Sequence, residues 1–228
     1  MTATPDRLPD PTALAARRLQ AAARFPFRPN GGRAALAAIA LGAATAANAA
    51  HGVLCGVVLG GWDTIEDSTP YVQAEVWITL AMLASLLITG VLFIAWMHRA
   101  FGNAHAAGLR STHAIGWAIG GWFVPLLNLV RPYQIAAEMW RHAGPERAGP
   151  AAIAPLWWAG WLLGNVTGSI GTHLNENPDE ETAQFGLQVL IASDLLSVLA
   201  GVMGIVLVRR LTAAHAAMVS VEQAKVFD

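Results

Sequence analysis

Residues 187–210 read LQVLIASDLLSVLAGVMGIVLVRR. From Leu187 to Val208 this run holds one charged side chain, Asp194, and it closes on Arg209 and Arg210. A helix needs about 20 largely apolar residues to span the hydrocarbon core of a bilayer. Working back along the chain, three further segments have that length and character: Ala34–Gly61, Val76–Met97 and Ala152–Gly171. A fifth run, Ala114–Val130, is shorter and is interrupted by Gly120, Gly121 and Pro125. The whole chain of 228 residues is 55% apolar and 13% charged. Soluble domains average about 25% charged, too different for one soluble core to absorb the excess. The expectation is an all-α, polytopic transmembrane helical bundle.

Charge placement sets the predicted topology. Arg7, Arg17, Arg18, Arg24, Arg28 and Arg33 precede the first span; Arg99, Arg110, Arg131, Arg141 and Arg147 lie between the second and third; Arg209, Arg210 and Lys225 follow the last. These are all 14 basic residues. The linkers 62–75 and 172–186 hold none and carry acids instead, among them Asp63, Glu75, Glu176 and Asp179. Lys and Arg stay on the cytoplasmic side, so both termini and region 98–150 are expected inside. Four spans satisfy every charge. A full crossing by 114–130 would put one basic flank outside, so the segment from 114 to 143 is read as re-entrant or interfacial. Five spans is the alternative. Non-helical backbone at membrane depth needs protein or a wet cavity around it. Trp62, Trp77 and Trp96 are read as interface markers.

Three parts follow: a basic N-terminal segment 1–33 (Thr12–Arg24 suits a lipid-attracted helix or a disordered tail), a membrane domain 34–220 and a short tail 221–228. The net charge of −1 argues against a nucleic-acid binder. The single cysteine, Cys55, rules out an intrachain disulfide and a Cys-based zinc cluster.

Two polar groupings stand out. Asp194 is the one charge well inside a span, where an acid costs about 2.5–3.5 kcal/mol and is by default a site candidate. By helical rise, Asn165 falls at nearly the same depth and His51 and Asn48 somewhat deeper, so Asp194, Asn165 and His51 form a candidate intramembrane cluster. It could hold a proton, a cation or a polar ligand, or act as interhelical glue. The second grouping surrounds a helix expected over 132–143, with Pro132 at its start and Gly144-Pro145 as its stop. Tyr133, Ala136, Ala137 and Trp140 would form its apolar stripe. Asn128, Arg131, Tyr133, Gln134 and Glu138 are the candidate network there, either clamping the broken segment or lining a cavity. Glycines four apart, Gly52, Gly56 and Gly60 on the first span and Gly160, Gly164 and Gly168 on the third, allow close helix approach. Packing within one bundle is favoured over homodimerisation. His98, His105 and His113 are read as separate surface histidines, so no metal site and no cofactor is expected.

The central stretch also carries a family signature. It includes Phe93-Ile94-Ala95-Trp96-Met97-His98-Arg99-Ala100, Asn103 and Gly108, then Gly116-Trp117-Ala118-Ile119-Gly120-Gly121-Trp122-Phe123-Val124-Pro125. Asn128-Leu129-Val130-Arg131-Pro132-Tyr133-Gln134, Glu138, Trp140 and Val208-Arg209-Arg210-Leu211-Thr212 complete it. Over residues 34–220 the chain resembles the uncharacterised DUF4328 domain family. His98 stands where many members carry an aromatic. The resemblance implies a multi-pass protein of the bacterial plasma membrane and supplies no activity. No phosphate loop, His-Glu-x-x-His or Gly-x-Ser-x-Gly motif occurs. The first expectation is therefore a non-enzymatic protein that binds a membrane partner, as a homo-oligomer or with another protein. The alternative is a small transporter or ligand-binding protein with a polar intramembrane site.

Overall fold

The computed structural model describes residues 26–61 and 69–227, with side chains to Ser220. The stretch Thr12–Arg24 and Trp62 lie outside the described residues. The described residues form helices and turns without a strand. Four long helices make the bundle: α1 (Gly31–Gly60), α2 (Thr69–Ala106), α6 (Ile153–Asn175) and α7 (Glu180–Phe227). Between α2 and α6 lie α3 (Trp117–Gly120), a 3₁₀ turn (Leu127–Leu129), α4 (Arg131–Ala143) and α5 (Pro145–Ala148).

Among the described residues, three helices are long and apolar enough to cross a membrane: α1, α2 and the Glu180–Ser220 part of α7. Their flanks are not covered by protein. Only 6% of the most apolar window of α2 is buried, and 22% of each of the other two. Leu83, Leu86, Leu87 and Val91 are all more than half exposed. A soluble protein rarely leaves apolar patches of that extent uncovered, and a membrane supplies the apolar surroundings that such faces need. The helix α6 has 23 residues, about 34 Å by helical rise. Its tryptophans, glycines and Asn165 keep it less apolar than the other three.

The helices run beyond the expected spans. Thr69 already starts α2, so Glu75 sits within a helix and not in a linker. Likewise α6 reaches Asn175 and α7 starts at Glu180, leaving a turn of four residues, 176–179. Asp179 closes that turn by accepting from the backbone N–H of Thr182 at 2.9 Å and its hydroxyl at 2.6 Å. A carboxylate in this place satisfies amide donors that a helix start leaves open, and the same bonds hold the Asp179 pKa below its ordinary value.

In the bundle α1 packs on both α2 and α7, and the largest interface joins α6 to α7. The α6 glycine stripe makes that interface possible. A Cβ on Gly160 would meet the Leu196 carbonyl oxygen at 3.0 Å, and one on Gly164 the Ser197 hydroxyl at 2.8 Å. On α1 only Gly52 of the stripe approaches another helix; Gly56 and Gly60 meet nothing within 4 Å.

The core is lopsided. Most of it gathers at one end, around Phe93, Trp96, Phe101, Ile135, Met139, Trp157 and Leu207. Trp96 is fully buried there, donating its Nε1–H to the Thr212 hydroxyl at 2.9 Å, so it joins helices and does not mark an interface with lipid. Trp122, Trp158 and Trp161 extend this core as an edge-to-face and stacked group. At the opposite end the buried cluster is, among the described residues, Cys55, Val58 and Leu187.

The segment 114–130 is broken, as its glycines and proline predict, and has no helix of crossing length. After Pro125 the chain turns through Leu126 at φ 65°, a conformation costing a non-glycine residue about 1–3 kcal/mol. Trp158 offsets part of that cost by donating to the Leu129 carbonyl at 3.0 Å. Phe123 and Leu126 stand 72% and 77% exposed at the tip. The following α4 is amphipathic, but its buried face is Pro132, Ile135, Ala136, Met139, Trp140 and Ala143. The expected stripe was rotated: Tyr133 and Ala137 are only half-buried.

Candidate functional site

Two polar centres and one cleft lie at different ends of the bundle. The first centre joins three helices. His51 of α1 places Nδ1 2.8 Å from Asp194 Oδ2 on α7, and its Nε2 lies 3.6 Å from Glu75 Oε1 on α2. Cys55, one turn further along α1, has its Sγ 3.9 Å from His51 Nδ1 and 3.7 Å from Nε2. His51, Cys55 and Asp194 are buried, at 8%, 3% and 4% exposure. Gly52 makes room for the pair, because a Cβ there would come within 3.2 Å of the Asp194 Cβ. Sequence depth brought His51 and Asp194 together; it did not bring Glu75 or Cys55. The i to i+4 spacing of His51 and Cys55 was a usable signal, since such residues share a helix face.

Asn165 does not join this pair. It is exposed on α6, and its amide donates to the Trp161 carbonyl at 2.7 Å. It lines instead a cleft of about 580 Å³. This opening lies where α2 and α6 pack on α1 and α7 respectively and do not close on each other. Its lining includes Asn48, Asn165, Ser169, Thr172, Ser193 and Ser197, with His173 and Glu176 toward one end. The donors of several of these groups are already used. Asn48 donates to Ala44 at 2.7 Å, Ser169 to Asn165 at 3.1 Å and Ser193 to Gly164 at 2.8 Å. What stays available is mixed: the second amide N–H of Asn48 and of Asn165, the Thr172 and Ser197 hydroxyls, and oxygen lone pairs.

The second centre belongs to the broken segment and α4. Arg131 donates to His113 Nε2 and, at 3.0 Å, to Gln134 Oε1. With Nε2 accepting, the His113 ring proton lies on Nδ1 and is given to Glu138 Oε1 at 3.0 Å. Ser111 donates to the other oxygen, Glu138 Oε2, and receives the His113 backbone N–H at 2.9 Å. The Arg131 guanidinium lies 5.5 Å from the Trp117 ring centroid, a cation–π distance. Gly121 lets the chain pass: a Cβ there would lie 2.7 Å from the Trp117 carbonyl and 2.8 Å from the Arg131 Cβ.

Of the five residues expected in this network, Arg131, Gln134 and Glu138 take part. Asn128 contributes to the turn through its backbone N–H, bonded to Val124. Tyr133 packs beside the core. The reading of His113 as a separate surface histidine is overturned: its side chain is 10% exposed and links Arg131 to Glu138. Ser111 and His113 were missed because they lie more than 24 residues before Glu138, in a loop with no periodicity to read.

Near the same end, Asn103 brackets the chain entering α1, accepting from Arg28 N–H at 3.0 Å and donating to the Arg28 carbonyl at 2.8 Å. His142 on α4 has its pKa held below 6.5, by burial first and by His105 beside it, against the pull of the Ala107 carbonyl.

No curated protein and no solved structure matches this chain. A family model described as a domain of unknown function, DUF4328, matches residues 68–213. The match takes in α2 through most of α7, with the whole Ser111–Glu138 network, and leaves out α1 with His51 and Cys55. The chain therefore belongs to the DUF4328 family.

Proposed function

We propose that this is a four-span protein of the bacterial plasma membrane, with both termini cytoplasmic, that binds a small polar solute in the cleft between α2 and α6. The cleft carries this reading. A lining of amide and hydroxyl oxygens is costly in hydrocarbon unless it serves an aqueous path or a ligand. A lining of amides and hydroxyls with Glu176 toward its end suits a cationic solute that also hydrogen-bonds, such as a small amine. Treating α6 as the fourth span puts the cleft mouth and the 176–179 turn outside, and Arg99, Arg131, Arg147 and Arg209 inside. Binding or transport, and not catalysis, is the proposed role.

The tests are direct. In a Cys55→Ser background, Thr172→Cys and Arg147→Cys should be labelled from opposite sides of the membrane; labelling from one side rejects the topology. A panel of amines from ethanolamine to putrescine should give saturable thermal stabilisation in detergent. Asn165→Phe, at an exposed position of the lining, should remove that stabilisation without lowering the melting temperature of the free protein. If no amine stabilises the wild-type chain, the ligand reading fails. Partner binding is the second reading. It is favoured by the open α1 face at Gly56 and Gly60, where nothing lies within 4 Å and another helix could approach closely.

A further inference from the structure

We propose that His51, Cys55 and Asp194 form a binding site for one divalent transition-metal ion of the zinc type. The donor atoms of these three side chains lie within 4.8 Å of one another, and all three residues are buried. Imidazole, thiol and carboxylate together are a zinc-type donor set; thiolate is a poor ligand for magnesium or calcium. Zinc bonds of about 2.0–2.3 Å set tetrahedral ligand atoms roughly 3.5 Å apart. The observed separations, 2.8 Å from Nδ1 to Oδ2 and 3.9 Å from Sγ to Nδ1, fall on either side of that value. An ion enters once Nδ1 and Oδ2 part by about 0.7 Å and Sγ closes on Nδ1 by about 0.4 Å.

Two features beyond the donor set point the same way. First, Glu75 sits 3.6 Å from Nε2, the ring nitrogen that would not hold the ion. A carboxylate on the second nitrogen of a ligating histidine fixes its tautomer and raises its basicity. Second, the charges close. A divalent ion with one thiolate, one carboxylate and a neutral imidazole is neutral, and the remaining charge beside it, on Glu75, is partly exposed. On binding, Cys55 gives its thiol proton to solvent, and the proton shared between His51 and Asp194 leaves with it. Three protein ligands leave a fourth position for water or an exogenous group. None of the three ligands lines the cleft, and the site does not depend on the solute reading.

The full chain, freed of any purification tag and stripped with chelator, should be titrated with cobalt(II) in detergent. One ion per chain is expected, with a thiolate-to-cobalt charge-transfer band; Cys55 is the one cysteine, so that band identifies its ligand without a mutation. Zinc should displace the cobalt and abolish the band. Glu75→Gln should weaken binding roughly 10–100-fold while keeping the band. Cys55→Ser should remove the band and lower affinity further. Absence of the band from the wild-type chain at stoichiometric cobalt overturns the proposal. So does undiminished stoichiometric binding by Cys55→Ser or Asp194→Asn.

Discussion

The Arg131 end and the Glu176 end of the bundle solve the same problem, polar groups among apolar helices, in opposite ways. At the Arg131 end the polar chain Arg131–His113–Glu138–Ser111 is drawn from one stretch of 28 residues and backed by the aromatic core. At the Glu176 end His51 and Asp194 are 143 residues apart, and the apolar cluster beside them is small. The first arrangement holds one broken segment in shape. The second ties three helices together at a point where little else does. The local network thus supports a structure that the core already fixes, and the long-range pair is itself a main fixture of its end. The cleft opens at the weakly packed end for the same reason.

The largest effect should come from splitting the pair. Asp194→Leu leaves His51 buried without its partner, an arrangement that costs about 3–5 kcal/mol in buried ion pairs. The double change His51→Leu with Asp194→Leu should recover most of that loss. Unfolding in mixed micelles with increasing dodecyl sulfate measures both. A double variant as unstable as the single would mean the two sites do not act as a pair.

Next in size is Gly121→Ala at the other end. Its Cβ meets a backbone carbonyl and the stem of Arg131, neither free to move, so a loss of about 1–3 kcal/mol is expected. Gly56→Ala is the control: with nothing within 4 Å and a helical backbone, it should be neutral or gain up to about 1 kcal/mol. Equal melting temperatures for the two would show that close approach at Gly121 is not limiting.

Arg131→Ala should cost about 1.5–3 kcal/mol, the range for hydrogen bonds to a charged group, and lower the folded yield. Arg131→Lys should recover only part: one nitrogen, Nη1, makes the bonds to His113 and Gln134, which an ammonium can replace, but the planar guanidinium beside the Trp117 ring is lost. Wild-type melting of Arg131→Ala would reduce the network to decoration on the core.

The smallest effect is a pH dependence at the Arg131 end. His142 is kept neutral by burial, so its folded pKa lies below the ordinary 6.5. Between those two values the unfolded chain takes up the proton first, and stability rises with pH. The contribution is complete above 6.5 and falls as the medium is acidified below it. His142→Gln should flatten the melting-temperature profile between pH 7 and pH 5, about the range in which an ordinary histidine titrates. An unchanged slope would exclude His142 as its source.

The sequence by itself determined the helical class, the apolar runs of α1, α2 and α7 and the break at Gly120-Gly121, and it put His51 and Asp194 at depths from which they could meet. These follow from composition, from residues that stop helices, and from depth, which the fixed rise per residue turns into position along an axis. Rotation about that axis is not fixed in the same way. Asn165 has a similar depth to Asp194 but lies on the cleft, and Glu75 was counted as linker although α2 had already begun. His113 could not be found by period or depth, because it lies in an irregular loop and meets Glu138 only once α4 has docked. Packing decided these positions: a side chain's neighbours depend on which helices touch and at what angle, and both depend on contacts between segments far apart in the chain.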